Sequence, residues 1–243
     1  MKITIITVVK NNVKGIEKTI KSVFSQTQKN IEYIVIDSMS SDGTSNIISK
    51  YKKKLKHIRE PDTGIYSAIN KGMLIAKGEY LGLLHSGDVY YDNFSLEKAI
   101  SFMNLKKLNA SSYNMQYINK KVSVRYWQLP IKKLTKYNIF KLAHPTLILK
   151  KNLISNLSYS ENYKVSGDLE FIINMQKLKK LKYGYNDCIL QINQYGGIST
   201  SNKFIFIKII EDFIILKKNF PYIFIYIFLL KILSKVKSFF VKP

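Results

Sequence analysis

Residues 59–91 read REPDTGIYSAINKGMLIAKGEYLGLLHSGDVYY, and the way this stretch divides decides the fold. Ile65, Ile69, Met73 and Ala76 recur at helical spacing, which predicts a helix with one inward face. Thr63 is placed to cap its start and Gly78 to mark its end. Tyr80 to Leu84 is a short apolar run, long enough for a buried strand and too short for a globular helix. That strand delivers His85-Ser86-Gly87-Asp88 at its carboxyl end, the edge of an open α/β sheet where ligands collect. A lone aspartate there would more often cap a turn. The ordered polar residues around Asp88 shift the balance toward a site.

Upstream, the same alternation repeats. Ile3–Val9 reads as a strand, and Ile16, Ile20, Val23 and Phe24 as the apolar face of a helix. Ile31–Ile36 is a second strand ending in Asp37; Asp42 and Thr44 can cap the next helix, which buries Ile47, Ile48, Tyr51 and Leu55. His57–Arg59 is a short third strand. Strands alternating with helices predict parallel pairing and a doubly wound sheet. The loop Thr7-Val8-Val9-Lys10-Asn11-Asn12 is neither a G-x-G-x-x-G turn nor a P-loop. A nucleotide bound here is held mainly by base and ribose, with a cation or basic group on its phosphates.

Downstream, a helix is expected from Leu96 to about Leu108, then a hairpin of Ala110–Tyr117 and Val122–Gln128 turning at Asn119-Lys120. Ala143-His144-Pro145-Thr146 leads into a short strand, Leu147–Leu149. Val165-Ser166-Gly167-Asp168 opens a helix, and Lys182–Ile192 is a strand running into Tyr195-Gly196-Gly197-Ile198-Ser199-Thr200.

The chain has 243 residues, 46% hydrophobic, with a formal net charge of +23. That is enough for one full core and it calls for a polyanionic neighbour, nucleic acid or an anionic membrane. No arginine-rich helix, zinc-ligand spacing or RNP-like run is present, so a nucleic-acid module is not expected. A basic α/β binder without transferase activity is the rival reading. The single cysteine, Cys188, excludes a disulfide framework and fits a reducing compartment. The strand-like start at Ile3 predicts no signal peptide and a cytoplasmic location. The last forty residues are apolar but punctuated by lysine, and the longest charge-free run, Asn219 to Leu230, falls short of the ~20 residues that span a bilayer. Two amphipathic helices lying on the anionic inner face of the membrane are expected, against the alternatives of a helix packed on the core or an oligomer contact.

Four motifs in order, T-x-x-x-N at Thr7, V-I-D-S-x-S-x-D-G-T at Val35, E-P-D-x-G-I-Y-x-A-x-N-K-G at Glu60 and L-x-S-G-D at Leu84, resemble glycosyltransferase family 2. The resemblance is strong over residues 1 to about 92 and thinner beyond, and it is closest to the branch that builds bacterial O-antigen, colanic acid or capsule. It implies an α/β, Rossmann-like mixed sheet flanked by helices, the A-type glycosyltransferase fold, with C-terminal amphipathic helices. The domain division it implies is a transferase domain at 1–202 (nucleotide-sugar half 1–95, acceptor half 96–202) and membrane-associating helices at 203–243. The implied activity is inverting transfer of a hexose from a UDP-sugar to a polyprenyl-diphosphate-linked saccharide. Position by position, Thr7, Val9, Asn11, Asp37, Asp62, Asn70 and Ser86 match donor-contacting residues, Asp37 the one that pairs with uracil, and for Asn70 a structural role inside the helix is equally open. Asp88 matches the last carboxylate of the loop that holds a divalent cation, Mn or Mg, although here D-x-D-D has become His85-Ser86-Gly87-Asp88. Asp168 matches the general base, with Glu170 as fallback. His144, Gly197 and Ser199 match acceptor or diphosphate contacts, and for His144 a structural role is equally open.

Overall fold

The computed structural model describes residues 2–119, 122–127, 131, 133–194 and 204–240. Its centre is a mixed sheet of nine strands: β1 (Ile3–Val9), β2 (Ile31–Asp37), β3 (Lys56–Arg59), β4 (Tyr80–Leu83), β5 (Val89–Tyr90), β6 (Ala110–Asn119), β7 (Val122–Trp127), β8 (Ile148–Lys150) and β9 (Tyr183–Gln194). The order is β3-β2-β1-β4-β8-β6-β9-β5, with β7 paired to β6. Strands β3, β2, β1 and β4 run parallel, as the alternating pattern predicts, because α1, α2 and α3 each cross back between one strand and the next. The sheet turns mixed beyond that point, since β8 meets both β4 and β6 antiparallel and β6 meets β9 parallel.

Seven α-helices accompany it in the described residues: α1 (Ile16–Phe24), α2 (Thr44–Ser49), α3 (Ile65–Ile75), α4 (Ser95–Leu105), α5 (Gly167–Gln176), α6 (Ile205–Asn219) and α7 (Phe224–Phe240). Two apolar layers cover the two faces of the sheet. One joins Ile5, Ile16, Ile20, Val35 and Leu96 through α1 and α4. The other joins Ile6, Ile34, Ile69, Leu169 and Phe171 through α3 and α5, and takes in Ile215, Leu216 and Ile227 from α6 and α7. The expected boundary at 202/203 therefore crosses a single packed core.

The start and end of α3 differ in detail from the sequence reading. Its N-cap is Gly64, and Thr63 spends its hydroxyl on Glu161 Oε2 at 2.8 Å instead. The helix stops at Ile75 because Ala76 is already extended, with ψ at 138°. Gly78 has another reason to be glycine: a Cβ there would lie 2.5 Å from the Thr4 backbone nitrogen.

Helices α6 and α7 bury charge beside their core-facing apolar residues and leave other apolar residues exposed. Glu211, Asp212 and Lys231 are buried, while Phe206, Ile210, Ile225 and Leu229 are exposed. Asp212 and Lys231 form an ion pair of 2.6 Å, so the two helices are joined by a buried charge contact. Among the described residues no helix is long and apolar enough to cross a membrane.

Candidate active site

The parallel strands β2, β1 and β4 end side by side, and the loops that leave them are stitched together by side chains. Asn11 holds φ at +51° and ties across to the loop after β2: its N–H donates to Ser40 Oγ at 2.9 Å and its Oδ1 accepts from the Ser41 N–H at 2.9 Å. Thr7 and Val9 point inward. The Thr7 hydroxyl donates to the Leu84 carbonyl at 2.6 Å, and Val9 sits in the core with its carbonyl taken by the Ser38 N–H. What these two can offer a ligand is the shape of the backbone, not their side chains.

Asp37 is fully buried at the end of β2. One oxygen accepts from the Ser40 N–H at 2.9 Å; the other meets the Ser45 hydroxyl and lies 3.5 Å from His57 Nε2. Burial raises its pKa, but Ser40, Ser45 and His57 outweigh that and hold the carboxyl below its ordinary value. A cavity of about 520 Å³ opens beside it, lined by Ser40, Ser45, His57 and Arg59 among others. Asp62 joins the same edge, accepting from Ser38 Oγ and, at 3.1 Å, from the Gly64 N–H. Asn70 does not face that edge. Its amide is spent on the 159–161 segment, through Tyr159 N and O at 2.8 Å each and Glu161 Oε1 at 3.3 Å. The expected donor contact at Asn70 is therefore a tie between the two halves.

The loop after β4 is fixed from three sides. Asn12 Nδ2 donates to Ser86 Oγ and O at 2.9 and 3.0 Å. Thr19 on α1 accepts from the Gly87 N–H at 2.9 Å and donates to the Asp88 carbonyl at 2.8 Å. Gly87 has φ at +100°, which a side chain would strain. The Asp88 carboxylate turns to β9, accepting from Asn193 Nδ2 at 2.8 Å and the Gln194 N–H at 2.9 Å. Asn12, Thr19 and Asn193 were not legible as site residues. Asn12 lies one place beyond the T-x-x-x-N motif, and the other two meet the loop only through tertiary pairing.

Asp88 is 7% exposed, and this burial pushes its pKa up to about 7. The folded protein then holds a proton that the unfolded chain, near the ordinary 3.8, has already lost. Stability should fall as pH rises through that window, since the unfolded state binds fewer protons there. Thermal melts in chelator over pH 4 to 7.5 should show the wild type losing ground to Asp88→Asn as pH rises; a constant difference between the two would contradict the shift.

Among the described residues no three His, Cys, Asp or Glu side chains converge as a metal cage. Asp88 alone fits a hard cation only when phosphate oxygens and water complete the shell, a set that Mg²⁺ accepts. Lys18 lies near enough to Asp88 for each to shift the other's charge.

The second half of the site faces this loop. His85 lies against His144, with ring centroids 6.4 Å apart, and His144 shares a hydrogen bond of 2.5 Å with the Tyr159 hydroxyl. Burial, with His144 alongside, lowers the pKa of His85 to about 4, and burial lowers that of His144 as well, so both rings are neutral at pH 7. His85 Nδ1 is buried with no hydrogen-bond partner among the described residues. Tyr66, Tyr159 and Phe171 stack into a column below, at 5.7 and 4.1 Å. Asp168, on the first turn of α5, borders this group and is half-buried. Its burial favours the neutral acid, but Lys208, His144, Lys231 and the Leu169 N–H outweigh it, so the carboxylate stays ionised. Glu170, its neighbour, is turned away into an ion pair of 2.9 Å with Lys218. Burial raises the Tyr117 pKa to about 12, and the charges of Asp88 and Asp168 both add to that rise. Gly197 and Ser199 lie outside the described residues.

A family model, Glycosyl transferase family 2, matches residues 4–158, the part that carries the whole parallel sheet and the β4 loop. The chain belongs to glycosyl transferase family 2. Within the family it is 31% identical over 193 residues to WfaP of Escherichia coli, named as a UDP-Glc:α-D-GlcNAc-diphosphoundecaprenol β-1,3-glucosyltransferase; the match covers 76% of this chain and 74% of WfaP. It is 27% identical over 195 residues to an uncharacterized glycosyltransferase of Rickettsia typhi, covering 75% of this chain but only 61% of that relative. The chain thus spans less than two thirds of the rickettsial protein. In fold it is similar to the S. aureus TarS fragment 1–349 solved with UDP-GlcNAc, with a TM-score of 0.72 over 90% of this chain and 68% of that one at 19% identity. The A-type fold expected from the family motifs is the one observed.

Proposed function

We propose that this family 2 transferase moves a glucose, galactose or N-acetylhexosamine unit from a UDP-sugar to a polyprenyl-diphosphate-linked saccharide, with inversion, during O-antigen or exopolysaccharide assembly. The observation that carries the reading is a chain of contacts from the β4 loop to α5: His85 lies against His144, His144 shares a hydrogen bond with Tyr159, and Tyr159 stacks on Phe171 of α5, the helix whose first turn carries Asp168. The uridine is assigned to the edge formed by Asn11, Asp37 and Asp62, where a cavity already opens beside Asp37. UDP-sugar use is supported by the fold-mate that holds UDP-GlcNAc, and the lipid-linked acceptor by the activity in the name of WfaP.

The chemistry needs one displacement. The acceptor hydroxyl attacks the anomeric carbon, its proton passes to the ionised Asp168 carboxylate, and the bond from that carbon to the diphosphate breaks to release UDP. A divalent cation, Mn²⁺ or Mg²⁺, bound at Asp88 with the donor would offset the charge of the leaving diphosphate. Neutral His85 keeps a buried Nδ1 without a partner among the described residues, a hydrogen-bonding group that adds no charge to the site.

The acceptor lipid places the reaction at the cytoplasmic face of a membrane, and α6 and α7 suit that place. Their exposed residues include Phe206, Ile209, Ile210, Ile225 and Leu229, with Lys217 and Lys218 beside them, and their acidic residues Glu211 and Asp212 are turned inward. Exposed apolar residues on two packed helices of a chain with net charge +23 suit the interface of an anionic leaflet. The test is a screen of UDP-glucose, UDP-galactose and UDP-N-acetylhexosamines against short lipid-diphosphate saccharides in anionic and zwitterionic vesicles. Transfer from one UDP-sugar, faster on anionic vesicles, is expected; retention on DNA without turnover of any UDP-sugar would instead favour the basic binding protein.

A further inference from the structure

Helix α6 reaches back to the segment that carries Asp168. Glu211, only 9% exposed, accepts three consecutive backbone N–H groups just ahead of α5: Lys164 at 2.7 Å on Oε1, then Val165 at 2.9 Å and Ser166 at 2.8 Å on Oε2. From the opposite side the Tyr66 hydroxyl donates to the Val165 carbonyl at 2.7 Å. Gly167 is packed so closely that a Cβ would meet the Tyr66 ring at 2.8 Å and the Ser160 carbonyl at 3.0 Å. The segment just before Asp168 is therefore held between Tyr66 of α3, in the nucleotide half, and Glu211 of α6, beyond the matched family region.

A buried carboxylate is costly unless its oxygens are taken up. Here they are taken up by backbone that has no other role than to start α5. The choice of partner matters more than the stability it brings, because a misplacement of about 1 Å at a reacting group can cost about 10²-fold in rate. Glu211 also has the sign that suits three convergent N–H dipoles. Lys208, one turn before it, contributes to keeping Asp168 ionised.

We infer that Glu211 is a positioning residue for the transfer reaction: it fixes the 164–166 backbone, and through it the Asp168 carboxylate, so that α6 is part of the active site as well as of the membrane-facing surface. The inference rests on the reading of Asp168 as the base.

The experiment is a double-mutant cycle in the full-length chain. Glu211→Gln keeps the shape but leaves one acceptor oxygen for three N–H groups, and Glu211→Ala leaves none. Each should lower kcat, Glu211→Ala by about 10²-fold, with the donor KM and the thermal midpoint measured alongside. Glu211→Gln is the variant of record should Glu211→Ala fail to fold. In an Asp168→Asn background either change should have almost no further effect, since the group being positioned is gone. Equal losses with and without Asp168, or an unchanged kcat in Glu211→Gln with only a lower melting temperature, would overturn the positioning role. A near-normal rate in Asp168→Asn itself would instead overturn the base assignment, so the two failures are told apart.

Discussion

Asp168→Asn should leave UDP-sugar binding intact and lower turnover by about 10²–10⁴-fold, the usual worth of a positioned general base. The substitution keeps the shape of the side chain and its oxygen toward the Leu169 N–H, now 2.9 Å away, but removes the site that takes the proton. Its partner carboxylate cannot substitute. Glu170 is buried against Lys218 on the far side of the first turn, so Glu170→Gln should cost α5 and α6 some cohesion and the reaction little. Donor affinity measured by titration and single-turnover transfer, on both variants, checks this. Loss of turnover in Glu170→Gln with a near-normal Asp168→Asn would move the base by two residues.

The second large effect concerns the C-terminal helices. Deleting residues 204–243 should yield protein that aggregates or fails to melt cooperatively. Ile215, Leu216 and Ile227 are fully buried in the core layer under α5. At about 1.5–3 kcal/mol for each such side chain, their loss is comparable with a whole domain's stability of about 5–15 kcal/mol. The deletion also leaves the N–H groups of Lys164, Val165 and Ser166 without Glu211. Size-exclusion chromatography and a circular dichroism melt of residues 1–203 check this; a monomeric, cooperatively melting fragment would restore α6 and α7 as a detachable anchor.

That expectation departs from the separate unit read at 203–243, while leaving the membrane-facing reading in place, and the reason is physical. Lysine-punctuated apolar runs signal an amphipathic helix whose charges face water, and nothing in a linear pattern says that Glu211, Asp212 and Lys231 turn inward instead. Partners eighteen or more residues away decide it: Lys231 for Asp212, and the 164–166 backbone for Glu211. Where a residue's job follows from its neighbours in sequence, reading was reliable. The alternation of β1, α1, β2, α2 and α3 fixes the parallel half, and Asp42 accepts from the Thr44 N–H at 3.0 Å just ahead of α2, although the N-cap itself is Gly43 and not Asp42 or Thr44. The mixed half was harder, because β8 is only three residues long and β6 and β9 pair across some seventy residues of chain. The site divides in the same way. Asp37, Asp88 and Asp168 lie at strand or helix ends, where position alone suggests chemistry. Asn12, Thr19 and Asn193 hold the β4 loop through contacts from α1 and β9, and Asn70 looks like a ligand contact in sequence but binds the 159–161 segment.

The central claim is a single displacement in which Asp168 takes the acceptor proton. The product's anomeric configuration tests it most directly. With an α-linked UDP-sugar, a lipid-diphosphate saccharide acceptor and the full-length protein, the one-bond and vicinal coupling constants of the new linkage are read by NMR. A β-linked product is predicted; an α-linked product would mean two displacements or a different route, and would contradict the account.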